Sequence, residues 1–336
     1  MVPTSTRQVV LASRPVGIPQ AEHFELRNSR LPSLQDGQIL VRNSYLSADP
    51  AMRGWVNESA NYSEPVPVGA VMRALAVGEV IDSRNPNYRR GELVTGLFGW
   101  QDVALVEPAA IWRKVTEADL PPSLSLGVLG LPGFTAWAGL HRILRPRTGG
   151  TLVVSTAAGA VGSTVGQLAA RLGCRTVGIA GGPAKAAACV EEFGFDVGLD
   201  YRSTRFEDDL RAATPDGVDA YFDNTSGPIT DAVTRRLAPR AAVLVCGTAS
   251  IQSWDPVPTG PRVERALLTK RARMEGFLAL DHFDAFEEAI SELASLVRTG
   301  ALAYREHTLH GLESAPGSIA MLYSGENTGK LVIQVE

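Results

Sequence analysis

"TLVVSTAAGAVGSTVGQLAARLG", residues 151–173, sets an apolar run, a turn of glycines and alanines and a helix-like stretch in immediate succession. Buried strands of a parallel sheet read as short continuous apolar runs, so this segment predicts a strand, a tight turn and a helix. Further strand-like runs follow it: "RTVGIA" (175–180), "DVGLDY" (196–201), "VDAYFD" (218–223), "AVLVCG" (242–247) and "ARMEGF" (272–277). Between them "VGQLAARLG", "AKAAACVEEFG", "FEDDLRAAT" and "ITDAVTRRLA" read as helices. Six strands alternating with helices predict an α/β fold, a doubly wound parallel sheet with right-handed crossovers.

The flanks have another texture. Residues 1 to about 125 are rich in Pro and Gly, with β-rich stretches such as "QILVRNSYLS" and "AVGEVIDS" separated by turn signals such as "PNYRRGE". That predicts a compact, mostly β domain. After a helix over "HFDAFEEAISELASLVRTG" (282–300) the chain turns β-like again and ends in "GKLVIQVE". A simple arrangement returns this tail to the first domain and leaves a cleft between the two.

Composition excludes more than it selects. The 336 residues carry 32 Lys plus Arg against 36 Asp plus Glu, a formal charge of −4, with no long basic or acidic block, so a nucleic acid or an anionic membrane is not an expected partner. The N-terminal residues lack the apolar stretch of a secretory signal, and no run reaches the roughly 18 apolar residues of a membrane span, so the expectation is a cytoplasmic protein. Cys174, Cys189 and Cys246 are far apart and odd in number, which gives neither a disulfide framework nor a metal knuckle.

In "AAGAVG" (157–162), Gly159 and Gly162 take the second and third glycine positions of the G-x-G-x-x-G fingerprint and Ala157 the first. Gly159 lets the backbone approach a pyrophosphate and Gly162 lets the helix pack close to the strand, with phosphate at the helix N-terminus. Placed after the first of six strands, the turn predicts a dinucleotide site. An NAD site usually presents an acid about 20 residues on, to bond the ribose 2′-hydroxyl. Here no acid lies between Gly162 and Glu191, and Lys185 is present instead. A cation without a competing carboxylate suits a 2′-phosphate, and Tyr201 adds a hydroxyl donor, so NADP is favoured over NAD.

"SADPAMRGW", "LGVLGLPGFTAWAGL", "AAGAVGSTVGQLA", "GGPAK", "PDGVDAYFDNTSG", "VCGTAS", "PTGP", "RMEGF" and "NTGKLVI" occur together in this order. In these motifs the chain resembles the zinc-independent medium-chain dehydrogenase/reductases, in the branch of NADPH-dependent curcumin reductases, 2-alkenal (double-bond) reductases and prostaglandin reductases. The resemblance implies a GroES-like β domain over 1–127, completed by 301–336, and a Rossmann NADP-binding domain over 128–300. It implies that Gly159, Ala160, Val161 and Gly162 meet the pyrophosphate, and that Lys185 and Tyr201 meet the 2′-phosphate. Asn224, the loop Cys246–Gln252 with Gly247 and Thr248, and Phe277 would line the cofactor groove. Asn327 would reach the nicotinamide end from the other domain. Without the resemblance, Asn224 and Asn327 read as turn residues. Members of the branch are commonly homodimers, which implies the same here.

Zinc-dependent relatives carry a catalytic Cys, a G-H-E segment and a four-cysteine cluster, and this sequence has none of these; His307 and His310 in "HTLH" are its only closely spaced histidines. Without a Lewis acid, hydride addition to a polarised alkene is easier than oxidation of an alcohol. The substrate implied is an α,β-unsaturated ketone or aldehyde, with hydride passing to its β-carbon and hydrogen-bond donors holding the enolate. Tyr62, in "NESANYSEPVPVG", is the catalytic candidate for that donor, while Tyr45 reads as core. Two positions depart from the family pattern: Ala51 replaces the tyrosine of D-P-Y-M-R, and Gln252 replaces a tyrosine after "CGTASI", with Trp55 and Trp254 nearby in sequence. The alternatives are an NADPH quinone reductase and a catalytically weak NADPH-binding protein.

Overall fold

A computed structural model describes residues 3–58, 62–251, 254 and 256–335. The chain divides into two compact units, one made of the residues up to Leu126 with those from Glu306 onward, the other running from Gly127 to Arg305.

The first unit begins with β1 (Ser5–Leu11), β2 (Phe24–Arg30), β3 (Ile39–Ser47), the single turn α1 (Met52–Trp55), β4 (Leu75–Ser83), β5 (Leu93–Leu97), β6 (Val103–Val106) and β7 (Ile111–Lys114). The second holds α2 (Leu131–Ala138), β8 (Thr151–Ser155), α3 (Ala160–Arg171), β9 (Arg175–Ala180), α4 (Pro183–Glu191), β10 (Val197–Asp200), α5 (Phe206–Ala213), β11 (Val218–Asp223), α6 (Gly227–Thr234), β12 (Leu237–Val245), α7 (Glu264–Lys270), β13 (Arg273–Gly276) and α8 (Phe286–Arg298). The tail adds β14 (Glu306–His310), α9 (Ala315–Ser324) and β15 (Lys330–Gln334) to the first unit.

The sheet of the second unit has the order β10-β9-β8-β11-β12-β13 with every pairing parallel. This is the doubly wound order, and its topological switch point lies between β8 and β11. β8 is buried at every residue and β11 at all but Asp219, as expected of central strands covered on both faces, whereas β13 at the edge is mostly exposed. In α8 the buried positions Phe286, Ala289, Ile290, Leu293, Ala294 and Leu296 form one helical face, and Phe286 meets the Phe134 ring edge-on at 5.1 Å. α5 opens with Glu207, Asp208 and Asp209 and closes with Arg211, charges that oppose the helix dipole at both ends.

The predicted strands of this sheet stand where the sequence reading puts them, with shifted ends. "ITDAVTRRLA" is not one helix: α6 stops at Thr234, and Leu237 and Ala238 already belong to β12. Cys246 and Gly247 lie beyond the end of β12. The β-like tail contains an unforeseen helix, α9, between its two strands.

In the first unit, β14-β15-β3-β4-β5-β7 form one sheet with β6 on β3, and β1 pairs with β2. The tail enters through β15, antiparallel to β3. Lys330 opens β15 with its ammonium buried: Nζ donates to Ser47 Oγ (2.7 Å), Ala48 O (2.8 Å) and Leu331 O (2.9 Å), and lies 3.1 Å from Asp49 Oδ1. A buried ammonium is tolerated only when its donors are satisfied, and here that requirement fixes the loop after β3 against the tail.

Candidate functional site

The turn after β8 is shaped by close approach. Thr156 takes a left-handed conformation (φ 55°), which accounts for a tight turn with alanine rather than glycine at 157. A Cβ on Gly162 would stand 2.3 Å from Thr156 O and 2.9 Å from Ala157 Cα, so Gly162 permits approach to the turn rather than to the strand, a correction to the sequence reading. A Cβ on Gly159 would meet Thr156 Cγ2 at 3.0 Å. Ala160, Val161 and Gly162 form the first turn of α3, which has no side-chain cap and no acid. Such an end leaves backbone donors and a positive dipole for an anion.

Beside it, the ends of β8 and β11 are tied together. Asn224 donates from its backbone to Ser155 Oγ (2.8 Å) and from Nδ2 to Ser155 O (2.7 Å). The neighbouring Asp223 carboxylate is fully buried and accepts from Tyr221 Oη (3.0 Å), the Thr225 and Ser226 amides (2.9 and 2.8 Å) and Thr230 Oγ1 (2.6 Å). Burial, then the Asp223 charge, pushes the Tyr221 hydroxyl above its ordinary value.

The loop after β12 packs onto that corner. Cys246 and Gly247 donate backbone N–H groups to Asp223 O (2.8 and 3.1 Å), and Ser250 Oγ donates to Thr225 O at 2.8 Å. A Cβ on Gly247 would stand 2.8 Å from Asn224 O. Burial, then Asp223, pushes the Cys246 thiol up to about 12, which keeps it protonated and unsuited to nucleophilic work. Thr248 is half-buried in the same loop. Phe277 follows β13, its N–H donating to Val245 O at 3.0 Å and its ring stacked on His282 at 5.5 Å.

At the outer strands, a Cβ on Gly181 would meet the Tyr201 ring at 3.0 Å and its hydroxyl at 3.3 Å, so Tyr201 packs closely against the glycine turn that follows β9. Lys185 stands in the first turn of α4, which contains no acid. Burial, then the charge of Arg202, holds its ammonium below the usual lysine range. Thus Gly159–Gly162, Lys185, Tyr201, Asn224, Cys246–Thr248 and Phe277 all sit at the carboxyl ends of the parallel strands or directly after them, where doubly wound sheets bind ligands. Sequence reasoning missed Ser155, Asp223 and Arg202, although Asp223 and Arg202 each adjoin a residue it chose.

Tyr62 and Asn327 belong to the other unit. Tyr62 is 58% exposed. Burial pushes the nearby Tyr323 hydroxyl up, Arg53 pulls it down and Tyr62 pushes it up; Arg53 sits 4.7 Å over the Tyr323 ring, and Tyr323 Oη donates to Pro50 O at 3.0 Å. Asn327 Nδ2 donates to Gly329 O at 3.0 Å, as a turn residue does. Beside Ala51, Trp55 packs on the core of this unit under Arg73, its indole N–H without a partner among the described residues, while Trp254 is 58% exposed. Gln252 lies outside the described residues. Tyr45 is half-buried in β3, and His307 and His310 lie in β14. Among the described residues no group of three His, Cys, Asp or Glu side chains could hold a metal ion, and no helix is long and apolar enough to cross a membrane.

Family models match both parts of the chain: residues 7–114 match the N-terminal domain of oxidoreductase, and residues 160–295 match a domain described as zinc-binding dehydrogenase. The chain is 41% identical to an NADPH-dependent curcumin reductase of Escherichia coli, over 98% of this chain and 96% of that one. It is 36% identical to a 2-alkenal reductase (NADP(+)-dependent) of Nicotiana tabacum, over 98% of each. The crystal structure of CurA in complex with NADPH from Vibrio vulnificus superposes with a TM-score of 0.92 at 40% identity, covering 98% of this chain and 99% of that one. A two-unit oxidoreductase fold with an open Gly-rich turn at its switch point therefore has a family: the chain belongs to the medium-chain dehydrogenase/reductases, in the branch of the curcumin, 2-alkenal and prostaglandin reductases.

Proposed function

We propose that the chain is an NADPH-dependent oxidoreductase that reduces the C=C bond of α,β-unsaturated ketones and aldehydes. The observation that carries the cofactor choice is the stretch after β9, where an NAD site would present a carboxylate: Lys185 stands there in an acid-free first turn of α4, and Tyr201 packs against Gly181 just before it. The alkene chemistry rests on the likeness to the curcumin and 2-alkenal reductases.

The residues present fit a dinucleotide. The uncapped first turn of α3, which carries no acid and offers bare backbone donors, suits a pyrophosphate. On this reading Lys185 and Tyr201 would hold the 2′-phosphate, Asn224, the Cys246–Thr248 loop and Phe277 would line the groove, and Asn327 would serve the nicotinamide end. The bound nicotinamide supplies a hydride for the substrate β-carbon. Tyr62 donates a hydrogen bond to the carbonyl oxygen as enolate charge develops there, and the α-carbon takes its proton from solvent. The pairing of two copies into a homodimer belongs to the same proposal and is tested by light scattering in solution.

The assay is turnover of purified protein with NADPH against a long-chain enal, an aryl enone, curcumin and a quinone, with products identified by mass. A product two hydrogens heavier than the enone supports the proposal; turnover of the quinone alone replaces it with quinone reduction. Tight NADPH binding without turnover of any of them makes the chain a binding protein.

A further inference from the structure

We infer that Arg202 is a third group in the 2′-phosphate site, its guanidinium taking the phosphate together with Lys185 and Tyr201 and thereby setting the preference for NADPH over NADH. This rests on the 2′-phosphate reading proposed above. The Asp200 carboxylate organises the corner: its Oδ1 accepts from the Gly182 amide (2.8 Å) and from the Arg202 amide (2.9 Å). One oxygen thus ties the turn that leads into α4, and so to Lys185, to the turn that carries Tyr201 and Arg202. The Tyr201 ring lies against Gly181 within that first turn, and the Arg202 Cζ stands 5.7 Å from the same ring's centroid. The aromatic ring is therefore a plate with the glycine turn packed against it and a guanidinium over it, a placement that stacking favours.

The electrostatics point the same way. Arg202 is exposed, and its guanidinium enters no ion pair among the described residues. After burial, its charge is the second cause of the depressed Lys185 ammonium, so the two cations share one region. A phosphate monoester placed with them would relieve that repulsion and offer a guanidinium the oxygen pair it binds best.

The test is calorimetric binding of 2′,5′-ADP and 5′-AMP to wild type, R202Q and K185Q, with near-identical melting temperatures as the check on folding. R202Q is expected to bind 2′,5′-ADP about tenfold more weakly, the loss typical of one charge-assisted contact, while 5′-AMP binding changes less than about twofold. K185Q is expected to lose affinity for 2′,5′-ADP in the same selective way. Unchanged affinity of R202Q for 2′,5′-ADP, or an equal loss for both ligands, overturns the role of Arg202. If wild type itself binds 5′-AMP as well as 2′,5′-ADP, the 2′-phosphate reading falls first and the inference falls with it.

Discussion

Asn224 closes on Ser155 through two hydrogen bonds, backbone N–H to Oγ at 2.8 Å and Nδ2 to the carbonyl oxygen at 2.7 Å, and so joins β8 to β11 where the sheet changes direction. The adjoining Asp223 carboxylate is buried and gathers donors from Tyr221, Thr225, Ser226 and Thr230.

Removing that carboxylate strands several buried donors at once. Asp223→Ala is expected to destabilise the protein by about 3 kcal/mol, read from urea unfolding. Asp223→Asn keeps one acceptor oxygen and is expected to cost less than half as much. Equal and small losses in both variants would mean that solvent replaces the network without cost.

Gly162 has no room for a side chain, since a Cβ would stand 2.3 Å from Thr156 O. Gly162→Val is expected to push α3 away from the turn, to cost about 1–3 kcal/mol of stability and to weaken NADPH binding at least tenfold. Fluorescence titration of NADPH with the variant checks this.

The proposed contact of Lys185 with the 2′-phosphate gives binding a pH signature. Burial and Arg202 hold the ammonium below the usual lysine range. Only the protonated form attracts phosphate, so NADPH affinity is expected to fall as pH rises through that lowered value. It falls again toward acid, where a phosphate monoester takes its second proton at about pH 6. NADH lacks the group and should show neither limb. Titration of both nucleotides across pH decides it, and Lys185→Arg should remove the alkaline limb.

Tyr62→Phe removes the proposed enolate donor while leaving the ring. We expect kcat to fall about tenfold or more with NADPH affinity unchanged, because the donor acts only as charge develops. An unchanged kcat with an enone would remove Tyr62 from the chemistry.

The parallel sheet was legible because its central strands, Thr151–Ser155 and Val218–Asp223, are buried on both faces and so read as continuous apolar runs. The end of α6 was not, because Arg235 and Arg236 extend a helical pattern that the chain abandons for β12 at Leu237. α9 was hidden by Pro316 and Gly317, which read as a turn although proline suits the first turn of a helix. In the site, Gly159, Gly162, Lys185 and Tyr201 were legible as a pattern of small and cationic residues without an acid. Asp223 was not, since only the fold brings Thr230 and the Thr225 and Ser226 amides around one carboxylate. Arg202 belongs to no motif in the sequence; its place over the Tyr201 ring comes only from the fold.

The most direct test of the account is the initial rate of an aryl enone with saturating NADPH and, in parallel, NADH, with the product weighed. A product heavier by two hydrogens is expected, formed at least tenfold more efficiently with NADPH. Equal rates with the two nucleotides would contradict the assignment of Lys185 and Tyr201, and an enone recovered unchanged would contradict alkene reduction itself.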